Sequence, residues 1–458
     1  MLRKVLPPFA FAVLASLLLS LPAFADSHVR IVRLSYVEGD VQIDRNTGQF
    51  EKAIVNLPVT EGAKLRTGEG RAEVEFEDGS TLRLAPSTTV QFPQLSLRDS
   101  GARLSSVELT SGTAYIDSAG SKSDELVLQF GRQKSVLTRA ARLRISAGEK
   151  GTQLAVFKGD VQVEAASGPI EVKKNQTASF DSSADDHVTL AKEIAPEPLD
   201  SWDKQQSQYH QRYATNSYGN YSPYAYGTSD LTYYGTFFSA PGYGMLWQPY
   251  FIGAGWDPFM DGAWAFSPGF GYGWVSAYPW GWTPYHYGSW VFLPGYGWAW
   301  QPGGAWMPWY SQPRLLNRPT GFRPPQAPGT IATKGTTIVT VNHGPMSSFS
   351  AKSGSQVVIR NNSAGLGVPR GQVANLAQAS HEVQRRGEVT QRVHSTPVAP
   401  SAPSMQQGEP TRGSMSPRGG GSRPSAPAPR MNAPVPAPRM SAPAPAPRMS
   451  APAPAPHK

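Results

Sequence analysis

Between residues 30 and 182, apolar and polar positions alternate repeatedly and almost nothing carries a helical period, so this stretch reads as all β. The clearest hairpin runs Ala72-Glu73-Val74-Glu75-Phe76-Glu77, turns at Asp78-Gly79-Ser80 and returns as Thr81-Leu82-Arg83-Leu84. An Asp-Gly pair supplies the positive φ that matches hairpin twist. Ala72, Val74 and Phe76 then face one way and Glu73, Glu75 and Glu77 the other. A carboxylate row on one open strand face is expected to be a solvated sheet surface rather than a metal site. The segment Tyr36-Val37-Glu38-Gly39-Asp40-Val41-Gln42-Ile43 is echoed by Val156-Phe157-Lys158-Gly159-Asp160-Val161-Gln162-Val163, and more weakly by Leu109 to Ile116. Such an echo implies strand-turn-strand units within one β-roll, β-helix or sandwich.

Beyond residue 190 the pattern changes. Glu193 to Tyr226 reads as a linker containing one short helix near Asp200 to Tyr213. Residues 231–310 then hold 11 Trp, 10 Tyr and 7 Phe with no Lys or Arg. Three copies of one unit account for them: Tyr234-Gly235-Thr236-Phe237 before Pro241-Gly242-Tyr243-Gly244, Asp261-Gly262-Ala263-Trp264 before Pro268-Gly269-Phe270-Gly271, and Tyr287-Gly288-Ser289-Trp290 before Pro294-Gly295-Tyr296-Gly297. Proline fixes φ and glycine accepts positive φ, so each Pro-Gly-aromatic-Gly is the turn of a hairpin, and the three hairpins should stack or form a meander. The aromatic side chains supply either a core or a binding surface. For the surface, the candidates are Trp264, Trp274, Trp280, Trp282, Trp290, Trp298, Trp300 and Tyr296, with Trp298 and Trp300, and Trp280 and Trp282, expected to share strand faces. Sugar recognition there would draw polar partners from tyrosine hydroxyls, Gln248, Asp257, Asp261, His286 and Gln301. Nucleic-acid binding would interleave basic residues, and this block has none.

Composition and charge add a compartment. Arg3 and Lys4, an apolar run to Leu21 and Ala23-Phe24-Ala25 read as a signal peptide cleaved after Ala25, leaving no transmembrane span in the mature chain. With no cysteine there is no disulfide, thiolate metal site or cysteine nucleophile. The net charge of +9 is segregated: −5 over residues 26–200 (21 basic, 26 acidic), −2 over 201–310 (2 against 4) and +14 over 311–458 (17 against 3). The basic region begins with strand candidates at Thr336–Val341 and Gln356–Arg360 and a possible helix within Gly371–Arg385. It ends in Pro/Ala runs with Arg430, Arg439 and Arg448 nine residues apart, expected to form a disordered cationic tether to an anionic surface. The eight histidines have no ligand spacing, Asp185-Asp186 reads as a solvated turn, and no nucleophile elbow or phosphate loop occurs. No catalytic residue, metal site or cofactor is expected.

Val37-Glu38-Gly39-Asp40-Val41, Leu65-Arg66-Thr67-Gly68 and Ala72 to Ser80 with Leu82, in that order, resemble the periplasmic FecR domain over roughly residues 30–182. The resemblance implies a β module with a binding role. The best known members relay a ligand signal from an outer-membrane receptor to a cytoplasmic sigma factor through a membrane helix placed before the β domain, and the cleaved signal peptide expected here removes that route. The aromatic repeat resembles a Trp- and Tyr-rich domain of unknown function that follows FecR domains in secreted bacterial proteins. The expected fold is therefore mainly β: a signal peptide (1–25), a FecR-like roll or sandwich (26–190), a linker (191–230), aromatic hairpin repeats (231–310), a basic region (311–395) and a tail (396–458). The expected role is a non-enzymatic, exported periplasmic or cell-surface protein binding an envelope protein or cell-wall glycan. The alternatives are a FecR-type signal relay and a carbohydrate-active enzyme.

Overall fold

The computed structural model describes residues 30–182, 187–214, 222–268, 270–307, 312–329, 337–342, 348–350 and 356–393. The expected signal peptide, Asp185-Asp186 and the Pro/Ala tail lie outside the described residues. The alternating region forms β1 (Val32–Glu38), β2 (Val41–Asp44), β3 (Glu51–Lys52), β4 (Pro58–Val59), β5 (Lys64–Thr67), β6 (Arg71–Glu75), β7 (Thr81–Leu84) and β8 (Thr89–Leu97). After the long β9 (Arg103–Ser118) come β10 (Glu125–Phe130), β11 (Gln133–Leu137), β12 (Ala141–Gly148), β13 (Gly151–Lys158), β14 (Val161–Ala165), β15 (Gly168–Val172), β16 (Gln176–Asp181) and β17 (Val188–Ala191). One sheet runs β4-β1-β6-β7-β9-β12-β13-β16-β17 and the other β3-β2-β5-β8-β9-β10-β11-β14-β15, so β9 belongs to both. Among the described strands of these two sheets, only β9 and β10 run parallel. Alternate side chains of both sheets, among them Val32, Leu34, Val74, Leu128, Leu154 and Val163, meet in one apolar core.

The sequence echo has a geometric cause. Both Gly-Asp-Val segments sit where the chain leaves the first sheet for the second, between β1 and β2 and between β13 and β14, and the weak third copy is the bend of β9. Gly39, Gly159 and Gly112 have φ of +72°, +79° and +89°. A Cβ at these positions would lie 2.9 Å from Gly70 Cα, 2.6 Å from the Ala140 carbonyl oxygen and 2.5 Å from that of Ser87. Only glycine combines that φ with that approach.

All three aromatic units are hairpins: β18 (Gly235–Ala240) with β19 (Gly244–Pro249), β20 (Asp261–Ser267) with β21 (Gly271–Ser276), and β22 (Ser289–Leu293) with β23 (Gly297–Gln301). Each places two large rings opposite one another: Phe237 with Trp247, Trp264 with Trp274, and Trp290 with Trp300. The unit glycine, twelve residues before the second tryptophan, makes room for its indole. A Cβ on Gly235 or Gly262 would overlap the ring of Trp247 or Trp274, and one on Gly288 would lie 2.7 Å from Trp300 Nε1.

The hairpins do not stack in chain order. The first and third join through Trp247 and Trp300 and, with β24 (Arg314–Leu316), make a five-stranded sheet. Beyond that pair the two hairpins are tied reciprocally. Gln248 donates to the Tyr296 and Trp298 carbonyls at 2.8 and 3.0 Å, and Gln301 donates to the Tyr243 carbonyl at 2.8 Å. The second hairpin carries Val275 where the others carry glutamine. It pairs instead with β25 (Ile338–Asn342) and inserts Ala265 and Val275 into the core of the first module.

The flanking regions are structural. Helix α1 (Asp200–Tyr213) buries Trp202, Asp203, Gln206 and Tyr209, and α2 (Thr228–Tyr234) buries Asp230, so the span expected as a linker is packed. Helix α3 (Thr283–His286) comes after the second hairpin. In the basic region, β26 (Ser348–Ser350), β27 (Gln356–Arg360), α4 (Leu376–Arg386) and β28 (Glu388–Arg392) succeed β25; Val357, Ile359, Leu376, Ala379 and Val383 close the aromatic core. Gly262→Ala is expected to destabilise the chain by about 2–3 kcal/mol through overpacking against Trp274. Gly148→Ala, where a Cβ meets open space, should cost less than about 1 kcal/mol, with urea unfolding measuring both.

Candidate functional site

The outward face of β1, β6 and β7 gathers charge. Register sets Arg33 beside Glu75 and Glu73 beside Arg83, and alternation puts Glu73, Glu75 and Glu77 on one face as the sequence implies. The expectation of a solvated row is corrected by the structure. Glu73, Glu75 and Glu77 are 0%, 2% and 6% exposed: α1, the start of α2 and the loop bearing Arg370 cover the first two, and Arg30 closes on the third. A desolvated carboxylate requires compensating partners, and each has them.

Glu73 accepts from Arg83 at 2.7 Å, Arg370 at 2.6 Å, Ser35 at 2.7 Å and lies 3.0 Å from His210 Nε2. Glu75 pairs with Arg33 at 3.1 Å, accepts from the Gly227 amide and lies 3.8 Å from His210 Nδ1. Asp230 of α2 binds Arg33 at 2.7 Å and Arg370 at 3.1 Å and accepts from the Tyr209 hydroxyl. Asp203 of α1 takes Arg83 at 2.7 Å and Arg142 at 3.3 Å. Four carboxylates therefore meet four guanidinium groups, with His210 at the edge. At one end Arg30 grips Glu77 with two nitrogens, at 2.9 and 2.7 Å. Arg33 also donates to Asn56 and to the Pro279 carbonyl, while Asn56 donates to the Ser276 and Tyr278 carbonyls. The network thus holds the turn after the second hairpin as well.

Burial alone would raise Glu73, but the charges of His210, Arg370 and Arg83 override it and hold the carboxyl well below its ordinary value. Asp230 is likewise lowered, burial being outweighed by Arg370 and Arg33. Glu75 and Asp203 go the other way: burial raises them despite their cationic neighbours.

The candidate surface aromatics fall into two groups. Trp264, Trp274, Trp280, Trp282, Trp290, Trp298 and Trp300 are at most 2% exposed, which corrects their assignment to a binding face. Packing ring on ring is what buries them, as in the stacked Tyr278–Trp280 pair at 5.0 Å and the edge-on Trp264–Trp274 pair at 5.3 Å. Trp298 and Trp300 share an inward face of β23, whereas Trp280 precedes α3 and Trp282 caps it rather than lying on a strand. Tyr296 is 63% exposed at the tip of the third hairpin. Of the proposed sugar-binding polar groups, Gln248 and Gln301 tie the hairpins, Asp257 accepts from the Phe259 amide, and Asp261 and His286 are buried. Burial, with the charge of Arg33, pushes His286 down to about 3.

Sequence reasoning missed the charge network although part of its signal was visible. The Asp-Gly turn fixes Glu73 opposite Arg83, pairing opposite charges on one face. The partners Asp203, His210 and Asp230 lay in the presumed linker, and Arg370 is 297 residues from Glu73. Among the described residues no helix is long and apolar enough to cross a membrane, and no cluster of three or more His, Asp or Glu could hold a metal.

Residues 63–162 match the family described as FecR protein, and residues 228–328 match a family of unknown function (DUF6600). No curated protein matches. Two crystal structures of a candidate anti-sigma factor from Parabacteroides distasonis ATCC 8503, at 2.50 and 1.65 Å resolution, are similar to this chain at 16% and 15% identity, each with a TM-score of 0.26. The similarity covers 29% and 30% of this chain and 60% and 63% of theirs, so the chain spans less than two thirds of either.

The network predicts a contrast between neighbouring carboxylates. Glu73 and Asp230, held low, stabilise the folded chain at neutral pH and lose that contribution as pH falls through their depressed values. Glu75 and Asp203, pushed up, favour folding in their protonated forms, and that contribution fades as pH rises through their raised values. Glu73→Gln should therefore cost about 3–5 kcal/mol near pH 7, with the deficit narrowing only as pH falls below about 4 toward the depressed value of Glu73, and Glu75→Gln should cost clearly less. Urea unfolding across that pH range measures both.

Proposed function

We propose that this chain, a FecR segment joined to a segment of the family of unknown function, is an exported envelope protein that binds rather than catalyses. In this reading both segments act as one rigid body, and the turns of the first and third aromatic hairpins meet a protein or glycan of the envelope. The observation that carries it is the shared network: Arg33, Glu73, Glu75 and Arg83 of the first module are neutralised by Asp203, His210, Asp230 and Arg370, all C-terminal to that module. A relay of the kind implied by the FecR resemblance would have to move the β module against its neighbour, breaking buried ion pairs at several kcal/mol each. A scaffold needs them closed. The basic tail would add attraction to anionic surfaces, weakened by salt.

Purified chain from residue 26, with and without residues 396–458, is expected to sediment with isolated envelope fragments at about 0.15 M salt, where charges are screened beyond about 8 Å. The same protein recovered from cells should begin at Asp26 by intact mass. Sedimentation of the tailed form alone, abolished by higher salt, would reduce the role to electrostatic attachment. Release of soluble fragments from the envelope would contradict a non-enzymatic role.

A further inference from the structure

We infer that the outer face of the five-stranded sheet is a platform for a linear, uncharged polysaccharide, with Tyr243 and Tyr296 each stacking on one sugar ring. The inference rests on the binding reading above and names its ligand.

Tyr296 is exposed yet not loose, because its ring lies parallel to Phe238 at 5.9 Å and 12°. Phe238 packs on a floor of Leu246, Val291 and Ala299, all fully buried. Tyr243, the equivalent residue of the first hairpin, packs on the same floor, and its hydroxyl accepts from Asn317 Nδ2 at 2.6 Å. Gln248 and Gln301 fix the backbone carbonyls of the two tyrosines. Both rings are thus preset before a ligand arrives, which lowers the ordering cost of binding.

Their placement favours a repeating, extended ligand. The two turns stand at opposite ends of β23, whose five residues at about 3.4 Å each separate the tyrosines by on the order of 15–20 Å on one face. A pyranose has a C–H face that suits a flat exposed ring and a hydroxyl rim that suits the Tyr243 hydroxyl and the Asn317 amide. An extended peptide would pair with a strand edge, whereas these rings lie on the sheet face. Nucleic acid would require interleaved basic residues, and the strands of this sheet carry one charged side chain, Arg314 on its edge.

The test is calorimetric titration of the full mature chain with cellohexaose, chitohexaose, mannohexaose and polygalacturonate. At least one uncharged hexaose should bind, its disaccharide should bind far more weakly, and Tyr296→Ala and Tyr243→Ala should each weaken binding about tenfold. Met245→Ala, on the opposite face of the sheet, should leave the affinity unchanged, and an unaltered thermal midpoint for Tyr296→Ala excludes unfolding as the cause. The inference is overturned if no uncharged hexaose binds, if binding ignores both tyrosines, or if only polygalacturonate binds. Continued sedimentation with envelope fragments in any of those cases leaves the binding role standing and removes only the saccharide; loss of both removes the binding role.

Discussion

Removing a carboxylate from water costs several kcal/mol, and β6 buries two within one strand while α1 and α2 bring two more to the same place. That cost is offset only if cations arrive in the right geometry, and they arrive from everywhere: Arg33 from β1, Arg83 from β7, Arg142 from β12 and Arg370 from the far C-terminal region. Pairs within the β module are supplemented from outside it by Asp203, His210, Asp230 and Arg370. Without Asp230 and Asp203, Arg33 and Arg83 would each lose their second carboxylate, and without Arg33 the second hairpin's turn would lose the grip on the Pro279 carbonyl. In the proposed reading the β module and the aromatic module fold as one unit: residues flanking the matched segments, Arg33, Asp203, His210 and Arg370, carry the ion pairs, and Ala265 and Val275 enter the first core with apolar side chains.

The aromatic block obeys a second constraint, steric in origin. The indole of Trp247, Trp274 or Trp300 fits only because the unit glycine it lies against has no Cβ. The same repeat then serves two ends. Gln248 and Gln301 let the outer hairpins hold each other's turns, and Val275 sends the middle one to the β module. Among the differences between the three hairpins, Gln248 and Gln301 bond to the neighbouring turn where Val275 enters the core of the first module.

Much of this was legible in the chain. Alternation around the Asp-Gly turn places β6 and β7 within a residue or two of where they lie, and α1 and β27 fall on the residues that pattern alone selects. Hairpin turns are local, fixed by proline and glycine, and so they are readable. The buried charge face was not, because facing outward from a sandwich and facing solvent are different things, and the covering layer comes from residues whose contacts span 120 to 297 positions. The tryptophans were ambiguous for the same reason: their burial depends on residues 356–393, which no local pattern attaches to the hairpins.

In the proposed reading the charge network makes the β module and the aromatic module one cooperative body. That cooperativity is tested most directly by urea unfolding of residues 26–395 monitored by tryptophan fluorescence, reporting mainly residues 231–310, and by hydrogen exchange of the β10 to β16 amides. The account predicts coincident transitions with a single midpoint, both shifted together by Arg370→Met. Two separated midpoints, with the β module outlasting the aromatic one or the reverse, would contradict it.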